Sequence, residues 1–250
     1  MGKIVIGFSG GVDSSFLLKV SVDVLGIDNV VAVTIDSLIF SKKEIEDAKL
    51  FAENLGVEHI VLSVDFNGID QLGNNRSNRC YYCKNYIFSI VKEQAEKKDF
   101  DFVVDGSNID DLCDYRPGRR ALKKLGVISP LVDAKIAKEE IRKLSKEMGL
   151  NTWNKGSFAC LASRFPYGIR INKKNLEMVE KAESYLNNLG LRQFRVRYHS
   201  DVARIEVEKK DFNLVMENSD SIVNYFKKLG FHYVSLDIEG YRSGSLNEVL

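Results

Sequence analysis

The chain has 250 residues, 44% of them hydrophobic, with 36 Lys and Arg against 35 Asp and Glu and a formal net charge of +1. That length fits one or two domains with a real apolar core, and the balanced charge removes the electrostatic case for a nucleic-acid or membrane surface. The apolar N-terminal run is broken by Asp13 before any cleavage-like site, no stretch approaches the ~18 apolar residues that span a bilayer, and a cytoplasmic location is expected. Four cysteines, two of them as Cys80-x-x-Cys83, are too few for a disulfide scaffold and read as metal ligands or reactive thiols.

The first predicted strand, 4–8, runs into Ser9-Gly10-Gly11-Val12-Asp13-Ser14-Ser15, which opens a helical pattern over 13–25. Gly10 and Gly11 let the backbone approach an anion, Ser9, Ser14 and Ser15 offer hydroxyls, and the N–H groups of a helix beginning near Val12 point at the same place. A nucleotide ligand is predicted, against the blander reading of a turn that only links strand to helix. No Gly-Lys-Ser/Thr follows the glycines and G-x-G-x-x-G is absent, so this is neither a Walker loop nor a dinucleotide fingerprint. The pattern resembles the PP-loop of the ATP pyrophosphatases, whose members hold the pyrophosphate of ATP while a substrate oxygen attacks the α-phosphorus.

Apolar runs at 30–35, 60–64 and 102–104 alternate with helical periodicity over 41–55 and 85–98. Strands buried on both faces read this way, which predicts an α/β fold with a doubly wound parallel sheet and the nucleotide over the carboxyl ends of its strands. Two loops at that edge, Asp36-Ser37 and Asp105-Gly106-Ser107-Asn108, make Ser37, Gly106 and Ser107 further nucleotide candidates. The acids Asp110, Asp111, Asp114 and Asp133 read as helix caps.

Cys80 and Cys83 lie in a segment predicted to sit just before a helix, where the helix terminus, Arg79 and Lys84 favour thiolates. Cys160 follows in another small-residue loop, Gly156 to Arg164, whereas the acids around Cys113 mark it as structural. Three thiolates suit a cluster that leaves one iron open, and a structural zinc wants four ligands. Catalytic thiols without iron, zinc and plain structural cysteines stay open. Lys84 either steadies a reacting group or is an exposed first-turn lysine, and Tyr81 and Tyr82 read as scaffold before stacking platforms.

After about residue 165 the texture changes: a helix over 173–189, strands at 194–198 and 203–207, helices over 211–228 and a strand at 232–236 predict a small α+β domain after a linker at 164–172. The expected domains are thus 1–165 and 166–250. Strand alternation places Arg195, Arg197 and His199 on one face, a phosphate clamp or a solvated charged face. Glu206 beside them orients the arginines or binds a metal ion. His59 and His232 read as packing positions.

Taken together, the PP-loop, the segments 78–84, 105–118 and 160–164, and Gly240-Tyr241-Arg242-Ser243-Gly244-Ser245-Leu246-Asn247 resemble the LarE family, ATP-dependent sulfur transferases that build the nickel-pincer nucleotide cofactor. The resemblance covers nearly the whole chain. It implies a small-molecule nucleotide substrate, pyridinium-3,5-biscarboxylic acid mononucleotide, whose carboxylates are adenylated by ATP and converted to thiocarboxylates. Ser9, Gly10, Gly11, Asp13 and Ser14 would then cradle phosphates with Mg²⁺, Gly106 and Ser107 would lie near the adenylate, and Arg195 and Arg197 would grip the substrate monophosphate. Some members carry only the cysteine matching Cys160 and surrender its sulfur, leaving dehydroalanine. Others also hold the C-x-x-C and are thought to bind a [4Fe-4S] cluster on three thiolates, the pattern that Cys80, Cys83 and Cys160 match. The family tends to form homo-oligomers. The competing expectations are a tRNA thiolase, which needs a basic surface this chain lacks, an ATP sensor without chemistry, and an amide ligase resembling NAD synthetase.

Overall fold

A computed structural model describes residues 2–66, 70–112, 117–156, 159–242 and 244–249. In chain order the principal elements are β1 (Ile4–Gly7), α1 (Val12–Leu25), β2 (Val30–Asp36), α2 (Lys42–Leu55), β3 (Glu58–Ser63), α3 (Asp70–Gly73), α4 (Arg79–Lys97), β4 (Phe102–Asp105), α5 (Gly118–Leu125), α6 (Pro130–Asp133), α7 (Lys138–Glu147), α8 (Lys173–Asn188), β5 (Phe194–His199), β6 (Val202–Val207), α9 (Phe212–Glu217), α10 (Ser219–Leu229) and β7 (Tyr233–Leu236). They form two compact units, 1–68 with 78–155 and 69–77 with 156–250.

The first unit is the parallel, doubly wound α/β sheet that the apolar runs predict, with β1 central and the described strands in the order β3-β2-β1-β4. Ile4 pairs with Val30 on one side and Phe102 on the other. Alternation along these strands feeds two cores. Ile4, Ile6, Phe8, Val30 and Ala32 pack with α1, Ala48 of α2 and Ile141 of α7, while Val5, Val31 and Val33 pack with Ile87, Phe88 and Val91 of α4 and Leu122 of α5. This two-sided burial is why the strands carry continuous Val and Ile. The carboxyl ends of β1, β2 and β4 therefore open into the loops at 8–11, 37–41 and 106–108.

One expectation is corrected here. The Cys80-x-x-Cys83 pair lies inside α4, not before it, because Asn78 ends the preceding turn and nothing from Arg79 onward opposes helix. Helices α5 and α7, which the sequence reading did not include, are short and strongly charged, and they bury Gly118, Ala121 and Leu122, and Ile141 and Ser145, respectively. The helices expected over 211–228 are α9 and α10, divided at Asn218, whose side-chain amide donates to the Leu214 carbonyl at 2.9 Å.

In the second unit β5 pairs antiparallel with β6, and β6 parallel with β7. Helix α8 lies against β5. The segment 69–77 joins this unit through buried Asn75, which adopts φ 48°, donates to the Phe165 and Pro166 carbonyls at 3.1 and 2.7 Å, and accepts from Gly168 N–H at 3.0 Å. Asparagine tolerates this left-handed conformation better than most residues.

Candidate functional site

The loop from Phe8 to Ser15 is held from beneath. The Phe8 carbonyl accepts from the Thr34 hydroxyl at 2.7 Å, and Thr34 in turn lies 2.8 Å from His59 Nε2. Burial, and secondarily Lys49, lowers the His59 pKa, so the ring is favoured neutral in this contact. Gly10 adopts φ +69°, and a Cβ there would fall 2.9 Å from Ala48 Cβ. The Ser9 and Ser14 hydroxyls lie 3.1 Å apart, and Ser14 donates to the Gly11 carbonyl at 3.2 Å. No side chain caps α1 at Gly11, and Asp13 is the one acid in its first turn, so the positive end of the helix dipole and its unpaired N–H groups face the loop.

A second loop abuts the first. A Cβ on Gly106 would lie 3.0 Å from both N and Cα of Ser14, so only glycine lets the end of β4 press on the start of α1. Ser107 and Ser129 both donate to buried Asp105 at 2.6 Å, and Lys84 Nζ stands 3.9 Å from the same carboxylate and 4.8 Å over the Phe88 ring. The Asn108 amide donates to Asp13 at 3.3 Å. Ser9, Gly10, Gly11, Asp13, Ser14, Gly106 and Ser107 are thus contiguous. Ser37 sits one strand away at the end of β2, where its hydroxyl accepts from Ile39 N–H at 3.3 Å.

Of the acids, Asp110 accepts the N–H of Lys138 at 2.8 Å and so caps α7 from across the loop, and Asp111 accepts from Asn108 N–H at 3.1 Å. Asp133 is in the first turn of α6. Cys113 and Asp114 lie outside the described residues. Two lysines escaped the sequence reading: Lys138 ion-pairs with Asp13, and Lys155 donates to the Gly10 carbonyl at 3.1 Å and Asp47 at 2.8 Å. They reach the loop across 125 and 145 residues, a separation that no motif records.

Cys80 and Cys83 are one turn apart in α4 and half-buried. A Cβ on Gly118 would stand 2.9 Å from Lys84 Cγ and 3.2 Å from the Cys80 carbonyl, so α5 presses directly on this turn. Tyr81 and Tyr82 meet edge to face at 5.3 Å, with Arg120 over Tyr81. These two cysteines belong to the first unit and Cys160 to the second. Among the described residues no group of three or more His, Cys, Asp or Glu is arranged to hold a metal ion.

In the second unit Cys160 opens a short helical turn, 161–164, built around Arg164, which is 1% exposed. Arg164 makes a two-pronged contact with Glu183 at 2.8 and 2.8 Å and donates to the Ala159 and Cys160 carbonyls at 2.6 and 3.2 Å. Glu183 also accepts from Val196 N–H at 2.9 Å, tying the loop to β5. Glu183 was missed in the sequence, although an acid on the apolar stripe of α8 with Leu176, Val179 and Leu186 was a readable signal.

Arg195 and Arg197 share a face as alternation predicts, but that face is interior: they are 4% and 6% exposed. The solvated alternative is thereby overturned. Arg197 spends its donors on Glu206 at 3.0 and 2.9 Å, the Ser163 carbonyl at 2.7 Å and the Ser245 hydroxyl at 2.8 Å. Arg195 donates to the Phe194 carbonyl and lies over Tyr241. Burial, then the Arg164 guanidinium, lowers its pKa to about 10. His199 is lowered by burial and by Arg204 and Arg197. His232, expected to pack, is exposed near Asp201 because it precedes an edge strand.

Residues 1–79 match the NAD synthase family. The whole chain is 38% identical over 248 residues to the pyridinium-3,5-bisthiocarboxylic acid mononucleotide synthase of Lactiplantibacillus plantarum, covering 99% of this chain and 90% of that one. It is 40% identical over 252 residues to an uncharacterized protein of Synechocystis sp., covering 100% and 94%. A further uncharacterized protein, from Methanocaldococcus jannaschii, is 34% identical over 241 residues, covering 96% and 91%.

Proposed function

The chain belongs to the LarE family, and on that premise we propose that it is an ATP-dependent sulfur transferase converting the carboxylates of pyridinium-3,5-biscarboxylic acid mononucleotide into thiocarboxylates. The observation that carries this reading is the pair of glycine loops at the sheet edge: Gly10 and Gly106 leave no room for a Cβ, and the hydroxyls of Ser9 and Ser14 converge beside an uncapped helix start. Such a cradle suits a nucleotide's phosphates.

In the proposed reaction Ser9, Gly10, Gly11 and Ser14 hold the phosphates while a substrate carboxylate oxygen attacks the α-phosphorus. The bond to pyrophosphate breaks and an acyl adenylate forms. Gly106 and Ser107, against the helix start, receive the adenylate, Ser37 completes the nucleotide site at the end of β2, and Lys84 stabilises the developing negative charge. A Mg²⁺ carried in on the phosphates needs few protein ligands; Asp13 is the loop carboxylate that would hold it, and its charge would stabilise the pyrophosphate leaving group.

The sulfur comes from Cys160, whose loop is fixed by the Arg164–Glu183 pair. Its thiolate attacks the adenylate carbonyl, a C–S bond forms and AMP leaves. Removal of the Cys160 α-proton with cleavage of its Cβ–S bond then releases the thiocarboxylate and leaves dehydroalanine, an elimination that needs no oxidant or reductant. The substrate monophosphate is assigned to Arg195, crowded by Arg164 and Arg197, a cation-rich setting that an anion relieves. Arg197, committed to Glu206 and the Ser163 carbonyl, positions rather than binds.

Two further readings have an observation behind them. The one-turn spacing of Cys80 and Cys83 favours a [4Fe-4S] centre with Cys160, and the NAD synthase match favours amide formation from ammonia. The Cys160→Ser variant tests whether Cys160 is needed, with AMP formation persisting and thiocarboxylate vanishing, and dehydroalanine at residue 160 of the wild-type chain after turnover separates donation from a cluster. Persisting thiocarboxylate contradicts that role. About four irons per chain in protein purified without oxygen replace donation by a cluster, and an ammonia-dependent amide product identifies the ligase.

A further inference from the structure

The loop from Phe8 to Ser15 contains neither lysine nor arginine, and its one charged residue is Asp13. A triphosphate entering such a loop meets an acid, with only helix N–H groups and hydroxyls to balance its charge. The fold supplies what the motif lacks. Lys138, the first residue of α7, ion-pairs with Asp13, and its own N–H is fixed on Asp110. Lys155, with a side chain 16% exposed, donates to the Gly10 carbonyl and to Asp47. Its segment is braced by Arg142, which donates to the Trp153 and Lys155 carbonyls at 2.6 and 2.8 Å. All of these groups belong to the first unit.

We propose that Lys138 and Lys155 are the cations that receive the pyrophosphate portion of ATP, replacing from outside the motif the lysine that a Walker loop carries within it. The inference rests on the nucleotide reading above. An ammonium has three donors on a flexible stem, so each lysine can keep one contact with the loop while turning another toward a phosphate oxygen. Lys155 also holds the carbonyl of the one loop glycine with positive φ, which ties the shape of the cradle to the cation beside it. In the structure Asp13 and Asp47 balance the two lysines. A polyphosphate carries more charge than either carboxylate and competes for the ammoniums.

The alternative is that both lysines are staples of the fold and nothing more. Calorimetric binding of pyrophosphate, ATP and AMP to the intact chain separates the two, because AMP lacks the β- and γ-phosphates. In Lys138→Met and Lys155→Met the account expects pyrophosphate and ATP to weaken about tenfold or more each, AMP to stay within about twofold, and the arginine variants at both positions to recover most of the loss. Equal weakening of ATP and AMP together with a lowered Tm, or no change in either, overturns the proposal. If the wild-type chain binds neither ATP nor pyrophosphate, the nucleotide reading itself fails and the assignment of the lysines falls with it.

Discussion

In the second unit Arg195 and Arg197 are both buried on β5. Glu206 is 0% exposed and receives Arg197 through both oxygens, with Arg204 on one of them. Removing the acid leaves the buried Arg197 guanidinium without its carboxylate, while Arg204 keeps Asp237 at 3.7 Å. Glu206→Ala is therefore expected to destabilise the fold by about 3–5 kcal/mol, measured by urea unfolding, and a loss below about 1 kcal/mol would mean that solvent already screens the pair. His59 makes a different prediction. Its pKa is lowered in the folded state, so the unfolded chain binds the proton more readily, and its contribution to stability is complete above the ordinary histidine value of about 6.5 and lost as pH falls below it. His59→Gln, which keeps a donor and acceptor for Thr34, should lose less Tm than wild type between pH 7 and pH 5, and identical declines would remove His59 from the account. Sequence alone placed these arginines on one face but not inside, because alternation assigns sides and not depth. It missed Lys138 and Lys155 because an ion pair closed over more than a hundred residues leaves no local trace.

Among the elements, the sheet was legible because four apolar runs of Val and Ile bounded by glycine and polar loops admit few readings other than strands buried on both faces. Helices α5 and α7 were not, since ten residues or fewer, mostly charged, draw their stability from packing rather than propensity. The nucleotide candidates on the sheet edge came from residue type and loop position, and the structure adds the reason for Gly10 and Gly106. Gly106 touches backbone on the opposing element, and backbone has no rotamer to yield. Gly106→Ala should push the end of β4 away from α1, costing about 1–3 kcal/mol and weakening ATP binding measured by calorimetry. A variant as stable as wild type with unchanged ATP affinity would show that the loop does not press on the nucleotide site. The cysteine turn was read one element boundary too late for a simple reason: Asn78 and the cluster of Cys and Tyr carry no strong start signal, and the helix begins one residue before Cys80.

The whole molecule has a parallel-sheet unit with two glycine loops at its edge and a second unit carrying Cys160 and the buried arginines, in a chain of which 99% matches a pyridinium-3,5-bisthiocarboxylic acid mononucleotide synthase. What sequence reasoning added beyond fold was the chemistry implied by an ordered set of motifs spread from residue 9 to residue 247. What it lacked was the internal commitment of Arg197 and the cations that flank the loop. Homo-oligomerisation is proposed from the family resemblance and is checked by light scattering, a single-chain mass being the contrary result. The most direct test of the central claim is the release of AMP and pyrophosphate from ATP by the purified chain with and without pyridinium-3,5-biscarboxylic acid mononucleotide, with the nucleotide product weighed by mass spectrometry. The account predicts release that depends on the dicarboxylate and a product in which sulfur has replaced a carboxylate oxygen. Release without that dependence, or a product that gains no sulfur, contradicts it.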